Sequence, residues 1–304
     1  MKNPFAHWWD DRKTRGILWM IMQCFGAAMM MVIVRIATQE LPTVVVVFYR
    51  NLFALLWLLP WFLLVGRKTI RQPRWRLYLM RGCSGMAAME LWFYALSTVP
   101  LPLATALSFT SPLISAILAV LIYKEKGSAA MWLSMAVGFG GVLIILRPGT
   151  ASFDVQTLWV MVTATLWSVS GVIIKSLTKT ESPVAVVFFM GVVMAPLSLP
   201  FALLQWQVPV GEQWLWLIAL GLVSTLFQIA LSTAIATTDL VHILPYDFTR
   251  LLFVSIFSYF IFQELIDAWT LFGAAIIVTS TVYATRHESR RARRLAKSAQ
   301  ASEA

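Results

Sequence analysis

The sequence predicts an all-α integral membrane protein whose ten transmembrane helices form two inverted five-helix repeats. Three observations carry that prediction: a charge-poor composition, ten apolar stretches of bilayer length, and a faint internal repeat. Of the 304 residues, 59% are apolar and 12% charged, with a mean hydropathy of +0.76. A soluble domain carries about 25% charge, so most of this surface faces something other than water. The first residues, with Lys2, Asp10, Asp11, Arg12, Lys13 and Arg15, are too polar for a signal-peptide core, and the first apolar run reads as a retained helix.

A hydrocarbon core of about 30 Å needs roughly 20 apolar residues per helix. Ten segments meet that need: 16–37, 43–65, 75–97, 101–123, 129–147, 156–177, 183–205, 213–236, 241–263 and 268–286. The breaks fall on turn chemistry or charge, as at Leu41-Pro42, Gln72-Pro73, Val99-Pro100-Leu101-Pro102, Arg147-Pro148-Gly149 and Ser182-Pro183. The break after the eighth segment rests on Thr237-Thr238-Asp239 alone.

Lys and Arg set the expected orientation, because they concentrate in cytoplasmic loops. With the N-terminus inside, all 24 fall in cytoplasmic segments except Arg35, Arg50, Arg81, Arg147 and Arg250, which lie in spans or at their ends. Both termini are therefore expected in the cytoplasm, with the protein in a cell inner membrane. The formal charge of +10 then follows from topology. The run Arg290-Arg291-Ala292-Arg293-Arg294 beside the last span is expected to meet anionic headgroups rather than nucleic acid.

The two halves resemble each other at a nearly constant offset. At 140 residues, Val34-Arg35 faces Ile174-Lys175, and Leu59-Pro60 faces Leu199-Pro200. At 139 residues, Phe109-Thr110 faces Phe248-Thr249, and Tyr123-Lys124-Glu125 faces Phe262-Gln263-Glu264. Five helices per half require the halves to enter the membrane from opposite sides, an arrangement of secondary transporters. The expected organisation is an arm over 1–15, repeats over 16–147 and 148–286, and a basic cytoplasmic tail over 287–304.

On the two halves, the Glu125 and Glu264 junctions, Phe48-Tyr49-Arg50-Asn51, and the stretch from Ala95-Leu96 to Pro112, the sequence resembles the drug/metabolite transporter superfamily, in particular its EamA-type members. The resemblance implies a central cavity lined by helices 1, 3, 4, 6, 8 and 9, working by alternating access. Members that look like this chain include amino-acid exporters and uptake systems for S-adenosylmethionine or riboflavin, so substrate and direction stay open.

Ionisable groups inside a membrane cost several kcal/mol and mark functional sites. Glu90, near the middle of helix 3, is the leading candidate, as a proton carrier or the partner of a cationic substrate group; the structural alternative is a pairing with Arg50, Arg81 or Arg250 that tightens the bundle. Asp247 and Arg250 lie one turn apart on helix 9, and share a face. Asp247 is the second proton-coupling candidate, and an intra-helical ion pair is the other reading of the two. Their repeat counterparts are Ser108 and Ser111, so charge stands in one half where hydroxyls stand in the other. Arg50, about 10 Å into helix 2, binds a substrate carboxylate or reaches towards headgroups. Arg81 is expected to snorkel to the near interface, and Arg35 and Arg147 are terminal residues without an assigned role.

Trp92, Tyr94, Trp167 and Tyr246 lie on the expected cavity helices and are candidates for stacking on a ring or a cationic group. Trp8, Trp9, Trp75, Trp206, Trp214 and Trp269 sit at span ends, as an interfacial belt would. Pro112 and Pro245 each remove a helical hydrogen bond beside these polar residues and are the hinge candidates. Gly82, Gly85, Gly138, Gly140 and Gly141 read as close helix contacts. Cys24 and Cys83 read as small apolar fillers.

Walker A, HExxH and GxSxG motifs are absent, and the three histidines are scattered. No cofactor, metal or nucleic acid is expected. The expected partners are a small-molecule substrate and membrane lipids, with the chain a monomer or homodimer. The leading expectation is a secondary transporter of a small polar or amphipathic metabolite, an amino acid or an S-adenosylmethionine-like compound, driven by protons or exchange. The alternative is an integral-membrane enzyme, such as a lipid-modifying transferase, using Glu90 or Asp247 as acid/base.

Overall fold

The computed structural model describes residues 12–66, 74–111, 114, 129–147, 156–178, 180–237, 246–247 and 249–302. Among them the chain is helical, in ten helices: α1 (Arg12–Ala37), α2 (Thr43–Trp61), α3 (Trp75–Thr98), α4 (Leu101–Ser108), α5 (Ala129–Leu146), α6 (Thr157–Leu177), α7 (Pro183–Leu204), α8 (Gln213–Thr237), α9 (Thr249–Phe262) and α10 (Ala268–Ser302). Each follows from local chemistry. Pro42, Pro100 and Ser182 precede the first turns of α2, α4 and α7, and Ser182 Oγ accepts from the Ala185 N–H. Pro183 at N1 gives up a donor that a first turn leaves unpaired anyway. Pro60 sits near the end of α2, and the chain leaves through a π-helical turn, Phe62–Gly66.

Among the described residues, segment length and apolarity alone mark four stretches as able to cross a bilayer: Thr14–Ala37, Thr43–Val65, Pro183–Leu204 and Gln213–Thr237. The fold supplies the rest, since helices that pack in a bundle tolerate the polar groups of α3, α6 and α9.

The packing is symmetric on exchange of the halves. α1 lies along α8 as α6 lies along α3; α2 meets α8 as α7 meets α3; α1 meets α9 as α6 meets α4. The pairs α2–α7, α4–α9 and α5–α10 map onto themselves. Side chains repeat the symmetry. Tyr49 and Trp214 meet edge to face at 5.2 Å, and Phe189 and Trp75 do so at 5.4 Å. A Glu-x-Pro sequence also recurs, as Glu40-Leu41-Pro42 and Glu181-Ser182-Pro183. Gln213 Nε2, at the start of α8, donates to Glu40 Oε2 at 2.7 Å. Tyr78, in the first turn of α3, donates to Glu181, while Arg74 donates to the Ser176 carbonyl at 2.6 Å.

Those two anchors lie at opposite ends of the bundle. α3 starts beside Glu181 and finishes where Arg35, at the end of α1, bonds the carbonyls of Leu96 and Val99. Glu40 follows α1 directly, so it belongs to that second end. The halves therefore enter from opposite sides, and these ends are called here the Glu181 end and the Glu40 end.

Large apolar side chains such as Leu64, Leu133, Leu204, Leu215, Phe260 and Phe272 remain exposed. Patches of that kind on a helical surface fit hydrocarbon rather than water. Inside, small residues let backbones close. A Cβ on Gly141 would lie 2.8 Å from the Gly273 carbonyl oxygen, and one on Gly273 2.6 Å from the Gly141 oxygen, so α5 and α10 touch backbone to backbone. Gly82 meets Val193 as closely, but Gly140 faces open space, which corrects its expected role as a contact.

Two expected spans differ from their prediction. α4 is interrupted after Ser108 by a turn at Phe109 and Thr110, and helical backbone resumes at Ser111, with the Ile114 N–H donating to the Thr110 carbonyl. At the other extreme, α10 does not stop at 286 but runs on through the basic tail to Ser302. Both hinge candidates, Pro112 and Pro245, lie outside the described residues, as do Trp8, Trp9, Glu125 and the 238–245 stretch.

Candidate functional site

The end of α4 meets the start of α9 in the middle of the fold, and the polar candidates gather there. Arg250 Nη2 lies 3.4 Å from Asp247 Oδ2 and 3.2 Å from Ser108 Oγ, and the guanidinium stands 5.4 Å from the Phe109 ring centroid. The ion pair expected from their spacing thus forms, and it reaches across to the other repeat. Cys24 of α1 closes the group, its thiol 3.5 Å from the Tyr246 carbonyl and 3.8 Å from Asp247 Oδ1. Cys24 is therefore a neighbour of the charged pair, more than a filler. Neither charged side chain is sealed: about 14% of Arg250 and 22% of Asp247 stay accessible.

Ser111, one turn beyond Ser108, continues the polar line towards α6. Its carbonyl accepts from Ser168 Oγ at 2.8 Å, and the two hydroxyls are 3.1 Å apart. Trp167, next to Ser168, is half-buried, and its ring lies 4.8 Å from that of Trp92. Trp92 is almost wholly buried, so in this conformation it supports Trp167 rather than facing a ligand. Tyr246 is exposed beside Asp247.

Glu90 is joined to none of these. No described residue gives it a hydrogen bond or an ion pair, and its Oε1 is buried without a partner. The pairing with Arg50, Arg81 or Arg250 that would have made it structural is not formed. It shares a stripe of α3 with Cys83, Ala87 and Tyr94, the more open face of that helix. A stripe that is small, polar and carries a carboxylate is unsuited to lipid and suits the wall of a cavity.

Burial removes one of the two readings of Arg50 and corrects the reading of Arg81. Arg50 does not reach headgroups: it is 2% exposed and donates to Asn51 Oδ1 at 2.8 Å. Arg81 does not snorkel. It folds along α3 over Gly85, where an added Cβ would sit 2.1 Å from its Nη1, and points to Ser170 Oγ at 3.4 Å. The trough left by glycine makes the inward path open.

A third polar cluster was not expected at all. Arg35 pairs with Glu264 at 2.9 Å, and Glu264 Oε2 also accepts from the Leu101 N–H and from Ser258 Oγ. Arg35 and Lys175 occupy matching places in the repeat, and Glu264 matches Glu125. That double correspondence was the signal available in the sequence. Among the described residues, no group of three His, Cys, Asp or Glu side chains converges to hold a metal.

Comparison with known proteins decides the family. The model of the EamA-like transporter family matches twice, over residues 14–147 and 156–286. The chain belongs to the EamA-like transporter family. Among EamA-like relatives, an S-adenosylmethionine uptake transporter of Rickettsia felis is 31% identical over 88% of this chain and 91% of its own length. A riboflavin transporter of Vibrio cholerae is 30% identical over 92% and 96%, and one of Brucella anthropi 32% over 84% and 94%. A solved crystal structure aligns with a TM-score of 0.62 at 18% identity, covering 89% of this chain and 98% of that one, a likeness of fold. This EamA-like protein is thus a multi-pass membrane transporter of a small metabolite. It is not an enzyme, and the acid/base roles considered for Glu90 and Asp247 in a transferase fall away.

Proposed function

We propose that the protein carries a heteroaromatic metabolite with an amino-acid end, an S-adenosylmethionine-like compound, by alternating access across a bacterial inner membrane with both termini in the cytoplasm. The observation that carries this reading is the accessible Asp247–Arg250 pair held against Ser108 where the two repeats meet. An acid and a base 3.4 Å apart offer opposite charges to the ammonium and carboxylate of a zwitterion, each able to leave its partner for the ligand. From there Ser111 and Ser168 lead to Trp167, whose ring can stack on a heterocycle or lie against a sulfonium. An amino acid without a ring would use only the charged part of the site.

Glu90 is the coupling group in this reading. A carboxylate that is unpaired in one conformation can bind a proton there and release it, or bind a cationic cargo, in another. Exchange of one metabolite for another needs no such group.

Uptake into proteoliposomes tests the proposal, using amino acids, S-adenosylmethionine, nucleosides and riboflavin, each with and without a pH gradient. S-adenosylmethionine is expected to give saturable uptake that falls at least tenfold in Arg250→Ala and in Asp247→Asn. Uptake of riboflavin alone, unaffected by either substitution, would replace this reading with a neutral ring-bearing cargo.

A further inference from the structure

Of the arginines that lie within or at the ends of helices, three meet a carboxylate: Arg35 with Glu264, Arg147 with Asp267, and Arg250 with Asp247. Arg50 and Arg81 do not. They are the most deeply buried charges among the described residues, 2% and 6% exposed, and no described acid pairs with either. The helices that carry them, α2 and α3, pack against one another. A guanidinium keeps its proton in a protein, so two positive charges share a water-poor interior with no anion from the described residues paired to either.

Their remaining partners are neutral. Arg50 donates to the Asn51 side chain, and Arg81 approaches Ser170, which in turn lies 3.0 Å from Ser84 Oγ. Each arginine has five N–H donors, and the Nε of both is buried without an acceptor. Asn51 Nδ2 lies 4.0 Å from Met86 Sδ, which sets the cluster at the level of Met86. That is about 16 Å along α3 from Trp75, close to the middle of a ~30 Å core. There a lone buried charge is costly, and an opposed anion with well-placed hydrogen bonds offsets part of that cost. The site also belongs to one half only. α7 and α8, the counterparts of α2 and α3, contain no charged residue.

We propose that Arg50 and Arg81, with Asn51, Ser84 and Ser170, form a binding site for one monovalent anion of carboxylate or halide type between α2, α3 and α6. Planar guanidinium forks suit a carboxylate, and two of them with an amide and hydroxyls also match the donor shell of chloride. The anion has two sources to distinguish: a free ion resident in the fold or, in place of the Arg250 contact proposed above, the carboxylate of a cargo. The site itself does not rest on which metabolite is carried.

Thermal unfolding of the purified protein, followed by its tryptophan fluorescence, tests the site without any cargo. The probes are sodium chloride and sodium acetate, with sodium lactobionate at equal ionic strength as an anion too bulky to enter. In the wild type the unfolding midpoint is expected to rise saturably by several degrees with chloride or acetate and not with lactobionate, as binding to the native state requires. Arg50→Gln and Arg81→Gln are expected to flatten that response. Ser170→Ala, which removes one hydroxyl and no charge, is expected to raise the half-saturating concentration several-fold. Equal midpoints for the wild type in all three salts would overturn the proposal even if no arginine variant folds, and so would an unchanged saturable response in either arginine variant.

A second arm separates the sources, with labelled S-adenosylmethionine as cargo in proteoliposomes. Chloride that competes with uptake assigns the site to the cargo carboxylate, and chloride that is required for uptake assigns it to a resident ion. If S-adenosylmethionine is not carried at all, the proposed function fails while the unfolding arm still decides the anion site.

Discussion

Arg35 and Glu264 lie 229 residues apart in sequence and 2.9 Å apart in space, and between them they join three junctions of the fold. Arg35 holds the carbonyls of Leu96 and Val99 at the end of α3, while Glu264 holds the Leu101 N–H at the start of α4. The Glu40 end is thereby tied together from α1 to the α9–α10 link. Removing one partner leaves the other charge without its mate in a largely buried place, so Arg35→Gln is expected to cost on the order of 3 kcal/mol. A double-mutant cycle with Glu264→Gln, read by thermal unfolding in detergent, should show a coupling of about 1 kcal/mol or more. Additive effects would mean that the pair contributes nothing beyond its separate hydrogen bonds.

Glu90 has the opposite character. Since it pairs with nothing in this conformation, Glu90→Gln removes a buried charge without orphaning another, and the unfolding midpoint should stay level or rise. Uptake driven by a pH gradient should drop at least tenfold at the same expression level. Wild-type flux with unchanged pH dependence would take Glu90 out of the mechanism.

The α3 stripe of Cys83, Ala87, Glu90 and Tyr94 can be probed with the two native cysteines. Cys83 is exposed and Cys24 is buried. A charged, membrane-impermeant thiol reagent should modify Cys83 and leave Cys24 intact, because water but not lipid delivers such a reagent. Labelling of Cys83 by lipid-soluble maleimides alone would place that stripe against the bilayer.

Adjacent glycines on α5 give a matched pair. Gly141→Ala forces a methyl against the Gly273 carbonyl and Ile277, and should cost about 1–3 kcal/mol by overpacking. Gly140→Ala meets nothing within 4 Å and should stabilise slightly, through helix propensity. Equal midpoints for the two variants would contradict the close crossing of α5 and α10.

Much of this architecture was legible because a bilayer imposes length. Prolines at Pro42, Pro100 and Pro183 and polar breaks between apolar runs mark helix starts that the structure keeps to within a residue or two. The Asp247–Arg250 pair was legible because residues three apart on a helix face the same way. Contacts between distant segments were not. Arg35 looked like an ordinary helix-end arginine, since its acid comes from the other half of the chain. Arg81 sits one turn inside a span, where snorkelling is the usual outcome; the empty face of Gly85 turns it inward instead. The Glu40 and Glu181 anchors were visible as a repeated Glu-x-Pro, but only their partners at the starts of α8 and α3 reveal what the repeat holds.

The length of α10 bears on how the basic tail is read. A helix from Ala268 to Ser302 is 35 residues, about 52 Å at 1.5 Å per residue, against a hydrocarbon core of about 30 Å. The surplus is a rod of roughly 20 Å that leads away from the bilayer if it stays straight. If the core begins at Ala268, its far face falls near Arg286 to Arg290, and the helix axis continues beyond them. Only the first turns of that tail then lie at membrane depth, and the rest of the helix extends past it to Ser302.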